Sequence, residues 1–76
     1  MTDRPAIEHA IEIIINGESR QIAAASTVTD LIHDLKLTPE RLAIEYNLHI
    51  LPRSAWAETQ LQMGDRLEIV QFVGGG

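Results

Sequence analysis

The sequence contains no cysteine, and this single absence excludes several kinds of chemistry. Without a thiol the chain forms no disulfide, offers no thiolate to a metal ion and carries no cysteine nucleophile or persulfide. A chain without disulfides fits a reducing compartment, so we expect a cytoplasmic location.

Positive charge and long apolar runs are also scarce. Lys and Arg total 6 against 11 Asp and Glu, and the net charge of -5 argues against binding to a nucleic acid backbone. No apolar run approaches the roughly 20 residues that a membrane span needs. The N-terminal MTDRPAIEHA lacks the continuous apolar stretch of a signal peptide. We therefore expect a soluble domain whose partners are proteins, with no nucleic acid and no membrane.

The length and the apolar content of the chain suffice for one small domain. The 76 residues are 45% apolar, which is enough to form a small core. Residues 1–9 show no periodic pattern and are predicted to be a loose N-terminal extension. The ordered domain is predicted over residues 10–73, and residues 74–76 are predicted to be a flexible Gly-Gly-Gly tail.

The first predicted element is a β-hairpin centred on Asn16-Gly17. Alternating isoleucines precede this pair, and Ile22 resumes the pattern after it. Both turn residues tolerate the positive φ of a type I′ turn, which makes Asn-Gly a strong hairpin signal. A two-residue loop places Ile11 opposite Ile22, whereas a four-residue loop places Ile13 there. Both registers keep Ile22 on the same face as the odd-numbered isoleucines.

The next segment, STVTDLIHDLKLTPE, has the spacing of an amphipathic helix. Thr27 and Asp30 resemble a capping box, and Thr38-Pro39 is expected to end the helix because the residue before proline avoids the α region. Four apolar residues at i, i+3, i+4 and i+7 form one helical stripe, namely Val28, Leu31, Ile32 and Leu35.

The rest of the chain reads as strands. RLAIEYN alternates, HILPR is a brief edge strand because of its proline, and SAWAETQL is a short turn with Ser54 as N-cap. RLEIVQFV is apolar on both faces over its later positions, as expected of an inner strand. The order β-β-α-β-β-β predicts an α+β protein with a mixed sheet of four to five strands packed on one main helix. This is the β-grasp, or ubiquitin-like, arrangement.

No catalytic or metal site is visible in the pattern. His9, His33 and His49 are scattered, Asp30 and Asp34 share a helix face without a predicted cleft, and no motif places a base beside a serine. No glycine-rich loop precedes a helix, so no phosphate-binding loop is expected. Trp56, Tyr46 and Phe72 are interpreted first as core residues, and the sequence leaves open the alternative that some of them belong to a docking surface. The chain does not look like an enzyme.

The sequence ends in Gly74-Gly75-Gly76, directly after the predicted inner strand. Glycine is used where a backbone must approach another molecule closely, and it is costly to order. We therefore interpret the tail as a segment that extends through a narrow channel into a partner's active site. The Gly76 carboxylate would then be an acyl group that partner enzymes activate, because this chain has no nucleophile or nucleotide site for the task.

From Ile13 to Gly76 the sequence resembles the ThiS family, the sulfur carriers of thiamine biosynthesis. The matching pieces are IIINGE, PERLAIEYN, ILPRSAW and GDRLEIVQFVGGG, and their order and spacing are fairly specific. The departures are residues 1–9 and Leu48-His49, where the family often carries more polar residues.

This resemblance implies a carrier role with named partners. A ThiF-like enzyme would use ATP to adenylate the Gly76 carboxylate, and the carrier itself would bind no cofactor and no metal. Sulfur from cysteine, passed on through a cysteine desulfurase, would convert the adenylate to a thiocarboxylate. Thiazole synthase, a ThiG-like partner, would accept this sulfur, and Gly74 and Gly75 would let the tail thread into both active sites.

Other functions share parts of this pattern. The small subunit of molybdopterin synthase and the carriers of tRNA thiolation would use Gly76 identically and differ in the client. A different class is a ubiquitin-like modifier or interaction domain, whose tail forms an amide with lysine or has no chemical role.

Overall fold

The structure is a computed structural model that describes residues 10–72. Its elements in chain order are β1 (Ala10–Ile15), β2 (Glu18–Ala23), α1 (Val28–Asp34), a 3₁₀ turn (Pro39–Arg41), β3 (Leu42–Tyr46), β4 (His49–Ile50), a second 3₁₀ turn (Arg53–Glu58) and β5 (Arg66–Gln71). The described strands form one five-stranded sheet in the order β2-β1-β5-β3-β4. β1 and β5 are parallel and the other pairs are antiparallel. The predicted α+β, β-grasp architecture is confirmed.

The first hairpin has the two-residue loop. Asn16 and Gly17 adopt φ values of 50° and 85°, and Ile11 lies opposite Ile22. The positive φ at both turn residues matches the right-handed twist of the two strands. The register therefore places the odd-numbered isoleucines of β1 toward the helix, and Ile13 is fully buried there.

Helix α1 begins as predicted and ends earlier than predicted. Thr27 and Asp30 form a complete capping box, with Thr27 Oγ1 accepting from the Asp30 N–H at 3.1 Å. The helix ends before Thr38-Pro39, because Lys36 turns left-handed at φ 59°. The N–H groups of Lys36 and Leu37 then donate to the carbonyls of His33 and Ile32, which is a Schellman motif without its usual glycine.

The core lies between α1 and one face of the sheet. The helix contributes three residues, the strands contribute alternate residues, and Trp56 and Leu61 from the segment between β4 and β5 complete the cluster. Burying these side chains is the main stabilising contribution, at about 1.5–3 kcal/mol for each large aliphatic residue. The buried apolar residues are Ile13, Val28, Leu31, Ile32, Leu42, Ile44, Trp56, Leu61 and Leu67.

Two sequence interpretations of the last segments need correction. β5 is an inner strand as predicted, but Val70 and Phe72 are exposed, because α1 covers only one face of the sheet. Phe72 is therefore not a core residue. The second 3₁₀ turn begins at Arg53 with Pro52 as its N-cap and no side-chain capping bond, so Ser54 does not have the predicted role.

The predicted boundaries of the extension and the tail fall outside the described residues and stay predictions. Val73 and the glycines after it lie beyond the last described position, and so does His9 before the first. Over residues 10–72 no helix is long and apolar enough to cross a membrane.

Candidate functional site

The predicted site residues Gly74, Gly75 and Gly76 lie outside the described part of the chain, but the strand that leads to them is well defined. β5 pairs with β1 on one side and with β3 on the other. Its pairing with β3 continues one residue past the strand, where the Phe72 N–H donates to the Arg41 carbonyl at 2.8 Å. The four residues after Phe72 extend the chain by at most roughly 14 Å.

The Asn16 side chain also holds β5 in place. Its Nδ2 donates to the Ile69 carbonyl at 3.2 Å, and its Oδ1 accepts from the Ile69 N–H at 2.7 Å. The sequence pattern identified Asn16 only as a turn residue, because its partner is 53 positions away. Central pairing and this side-chain contact together hold β5 in place within the sheet.

Asp65, the one buried charged residue in the described part of the chain, organises the opposite end of β5. Its Oδ2 accepts from the Tyr46 hydroxyl at 2.6 Å and from the Gln62 N–H at 2.8 Å, while its Oδ1 accepts from Asn47 Nδ2 at 3.2 Å. Burial, together with the hydrogen bond to Asp65 and the charge of Asp65, raises the pKa of Tyr46 to about 12. Asp65 lies seven residues before Phe72, roughly 23 Å along an extended strand, and the role of this network is structural.

The face of the sheet that α1 leaves uncovered carries several large apolar side chains that are exposed. We call Leu48, Ile50, Val70 and Phe72 the open-face patch, and their exposed fractions are 77%, 71%, 55% and 54%. Large apolar side chains grouped on one exposed surface are typical of an interaction site. Phe72 is also the last described residue before the tail, so the patch adjoins the segment that is predicted to react.

A shallow depression of about 470 Å³ lies within this surface. Its lining includes both apolar residues and carboxylates, namely Ala43, Ile44, Glu45, Leu48, Ile50, Glu68 and Val70. Leu48 has a left-handed φ of 75°, which is unfavourable for a residue with a branched side chain. The free domain obtains no packing in return for this conformation, because the Leu48 side chain is mostly exposed.

The remaining sequence candidates have local roles. Trp56 is buried and its Nε1 donates to the Leu51 carbonyl at 3.0 Å, which confirms it as a core residue. Tyr46 is half-buried within the Asp65 network. The Ser26 hydroxyl donates to the Ala23 carbonyl at 2.7 Å. Across residues 10–72 no group of three or more His, Cys, Asp or Glu residues could hold a metal ion.

A β-grasp domain whose central strand passes an apolar open face and runs toward a glycine tail defines a ubiquitin-like protein. The ThiS family description matches residues 13–76, and the chain belongs to the ThiS family.

Individual relatives agree with this assignment. The sulfur carrier protein ThiS of Escherichia coli is 33% identical over 66 residues, which cover 87% of this chain and all of that protein. The crystal structure of ThiS from Geobacter metallireducens superposes with a TM-score of 0.75 at 32% identity, covering 87% of this chain and 100% of the other. A protein from Paramagnetospirillum magneticum named thiazole synthase is 42% identical over 66 residues, and the chain spans only 20% of that protein's length.

Proposed function

We propose that this chain is a sulfur carrier whose Gly76 carboxylate is adenylated, converted to a thiocarboxylate, and used to donate sulfur to thiazole synthase during thiamine biosynthesis. The observation that carries the proposal is the arrangement of β5, which is held on both sides and leads past the open-face patch toward Gly76. Membership of the ThiS family and the similarity to the E. coli sulfur carrier support it.

The chemistry divides between the carrier and its partners. A carboxylate is a poor electrophile, so a ThiF-like enzyme would bind ATP and let the Gly76 carboxylate attack its α-phosphate, with release of pyrophosphate. The resulting mixed anhydride would be attacked by the outer sulfur of a persulfide that a desulfurase forms from cysteine, and AMP would leave. A thiol would then reduce the S–S bond of the acyl disulfide and release the thiocarboxylate. The carrier contributes the acyl group, and Gly74 and Gly75 contribute a narrow backbone that can thread into each active site. ATP is the partner's substrate, and no cofactor is assigned to this chain.

Thiazole synthase is the client that the relatives favour. The similarity to a fifth of a protein with that name indicates that a related carrier-like segment occurs within the same polypeptide as the synthase. Joining two modules raises their effective concentration for each other, which is useful for modules that react together. Molybdopterin synthase and the enzymes of tRNA thiolation are the alternative clients, and they would use the same chemistry at Gly76.

The open-face patch would dock on the enzymes that receive the tail. Its four apolar residues are exposed, and the patch extends along the sheet to Phe72, the residue nearest the tail in the described part of the chain. A partner covering the patch would therefore also be close to Gly76. Removing exposed apolar surface from water is the dominant favourable contribution to most protein association. A short tail alone would give little affinity, and a docking surface beside it supplies the rest.

Intact-mass measurement tests the proposal. The purified chain is incubated with a ThiF-like enzyme, ATP and a sulfur source, and the mass should rise by the difference between sulfur and oxygen. Peptide analysis should locate this change at the C-terminal peptide, and omission of ATP should abolish it. An amide bond between Gly76 and a lysine would instead indicate a modifier, and no mass change with an active enzyme would refute the carrier role.

A further inference from the structure

Two glutamates occupy directly opposite strand positions in the middle of the open face. In the antiparallel pairing of β3 and β5, Glu45 is the partner of Glu68. The neighbouring pair, Ile44 and Ile69, points toward the core, so strand alternation places both glutamates on the uncovered side. Both also line the depression that contains Leu48 and other members of the open-face patch.

This arrangement is unfavourable for the isolated domain. Directly opposed side chains on antiparallel strands have Cβ atoms about 4.5–5.5 Å apart, and like charges at that distance destabilise the sheet. Glu45 is half-buried beside Ile50, its cross-strand neighbour on β4, which limits its solvation. The nearest basic residue on the same face of β5 is Arg66, two positions before Glu68 and away from the tail. Arg66 is the basic residue within two positions of the pair along β3 and β5, and one guanidinium does not neutralise two carboxylates.

An enzyme that adenylates a carboxylate has the complementary charge. It must bring the anionic tail to the phosphates of ATP, and it stabilises this collection of negative charge with arginine, lysine or a metal ion. The carrier, with a net charge of -5, is attracted to such a surface before contact is made. Arginine is the residue best suited to bind two carboxylates at an interface, because its planar guanidinium has five donors.

We propose that Glu45 and Glu68 together accept a basic side chain, an arginine, from the adenylating partner when that partner covers the open-face patch. This inference rests on the proposed function and adds a polar specificity element to its docking surface. The apolar residues around the pair would exclude water from the contact, which strengthens the interaction between opposite charges. The like-charge pair is therefore unfavourable in the free carrier and favourable in the complex.

The test measures adenylation by the ThiF-like enzyme as ATP–pyrophosphate exchange, for the wild type and for Glu45→Gln, Glu68→Gln and the double variant. We expect kcat/KM to fall by roughly tenfold in each single variant, mostly through KM, because the contact affects docking and not the reacting atoms. Glu68→Lys should fall further, by about a hundredfold, since it opposes the partner's charge. Glu68→Asp, which keeps the charge, should retain most of the activity.

Two controls separate this contact from general electrostatics and from misfolding. Asp34→Asn removes an equal charge from the exposed side of α1 and should stay within about twofold of wild type. Wild-type kcat/KM should fall as salt rises from about 0.05 to 0.5 M, and the double variant should show a much weaker dependence. Thermal unfolding should show the glutamine variants at least as stable as wild type, because each relieves the opposed charges.

The outcomes are distinguishable from those of the proposed function. If the wild type is adenylated and the double variant matches it within about twofold, the arginine contact is refuted while the carrier role stands. If the glutamine variants are adenylated normally and lose only their binding to thiazole synthase, the arginine contact with the adenylating enzyme is again refuted while the carrier role stands. Absence of adenylation in the wild type would instead refute the proposed function itself.

Discussion

The side chain of Asn16 pairs with the main chain of Ile69 as if it were another residue of the strand. The parallel pairing of β1 with β5 is short, and its Cα partners are Ile14 with Arg66 and Ile15 with Leu67. The chain then turns away into the hairpin, and the Asn16 amide takes over both hydrogen bonds to Ile69. The turn residue that reverses β1 thereby also holds the strand that leads to the tail.

Replacing Asn16 with glycine should separate these two roles. Glycine keeps the positive φ of the turn and removes both side-chain hydrogen bonds. Each intramolecular hydrogen bond contributes a net of about 0.5–1.5 kcal/mol, so we expect the free energy of unfolding to fall by about 1–2 kcal/mol. Urea denaturation measures this value. Asn16→Ala should lose more, because it adds the strain of a positive φ, and an unchanged stability in Asn16→Gly would show that the contact contributes nothing.

The Tyr46 hydroxyl gives a direct spectroscopic test of the Asp65 network. Tyr46 is the sole tyrosine of the sequence, so the absorbance of phenolate reports on this group alone. The midpoint should lie near pH 12 in the folded protein, because burial and Asp65 disfavour the anion. In denaturant it should return to about 10, the usual value for tyrosine. Asp65→Asn should move the folded midpoint down toward the unfolded one.

The same pKa shift predicts how stability changes at alkaline pH. The folded pKa is raised above the unfolded value, so the stabilising contribution of neutral Tyr46 is fully present below pH of about 10. It should be lost as pH rises from there through the folded pKa of about 12. Tyr46→Phe, which cannot ionise, should lack this component of the alkaline loss. An identical pH dependence in both proteins would contradict the prediction.

Leu48 should matter for docking and little for folding. Its side chain is 77% exposed at a left-handed φ, and asparagine tolerates that conformation better than leucine does. We therefore expect Leu48→Asn to leave the free energy of unfolding within about 0.5 kcal/mol of wild type. Adenylation by the ThiF-like enzyme should nevertheless lose roughly tenfold in kcat/KM, the effect of a moderate interface residue.

Met63 provides the matched control for this variant. Its side chain is 65% exposed, and it does not line the depression of the open face. Met63→Gln removes a similar amount of exposed apolar surface and should leave adenylation close to the wild-type rate. Equal losses in both variants would mean that exposed apolar surface in general, and not the open-face patch, determines docking.

Local rules predicted the elements that depend on neighbouring residues. The hairpin at Asn16-Gly17 and the capping box of Thr27 follow from interactions within four positions, and both are present. The end of α1 was predicted at the wrong place, because the signal expected for a left-handed C-terminal residue is glycine and the chain uses Lys36.

Long-range contacts could not be predicted in the same way. Asp65 reaches Tyr46 across 19 positions, and no periodic pattern marks either residue as a partner of the other. The exposed position of Val70 was also missed, since an apolar residue on an inner strand is equally consistent with a covered face. Only the placement of α1 on a single side of the sheet decides which apolar residues remain available for docking.

Deleting Gly76 should separate folding from function in the tail. Glycine has no side chain to bury. Within residues 10–72 the last pairing on the β5 side is the hydrogen bond from the Phe72 N–H to the Arg41 carbonyl, and Gly76 follows Phe72 by four positions. The free energy of unfolding should therefore change by no more than about 0.5 kcal/mol, the usual range for changes away from special structural features. Thermal unfolding of the wild type and the variant measures this.

Adenylation should respond very differently to the same deletion. Losing one extended residue shortens the reach of the acyl group by roughly 3.3–3.6 Å. A displacement of even about 1 Å at a reacting centre can cost on the order of a hundredfold in rate, so the deletion should nearly abolish ATP–pyrophosphate exchange. A variant with one residue appended after Gly76 should fail as well, because its carboxylate lies beyond the reacting position. If both variants are adenylated at the wild-type rate while their melting curves are unchanged, Gly76 is not the reacting residue and the carrier mechanism is wrong.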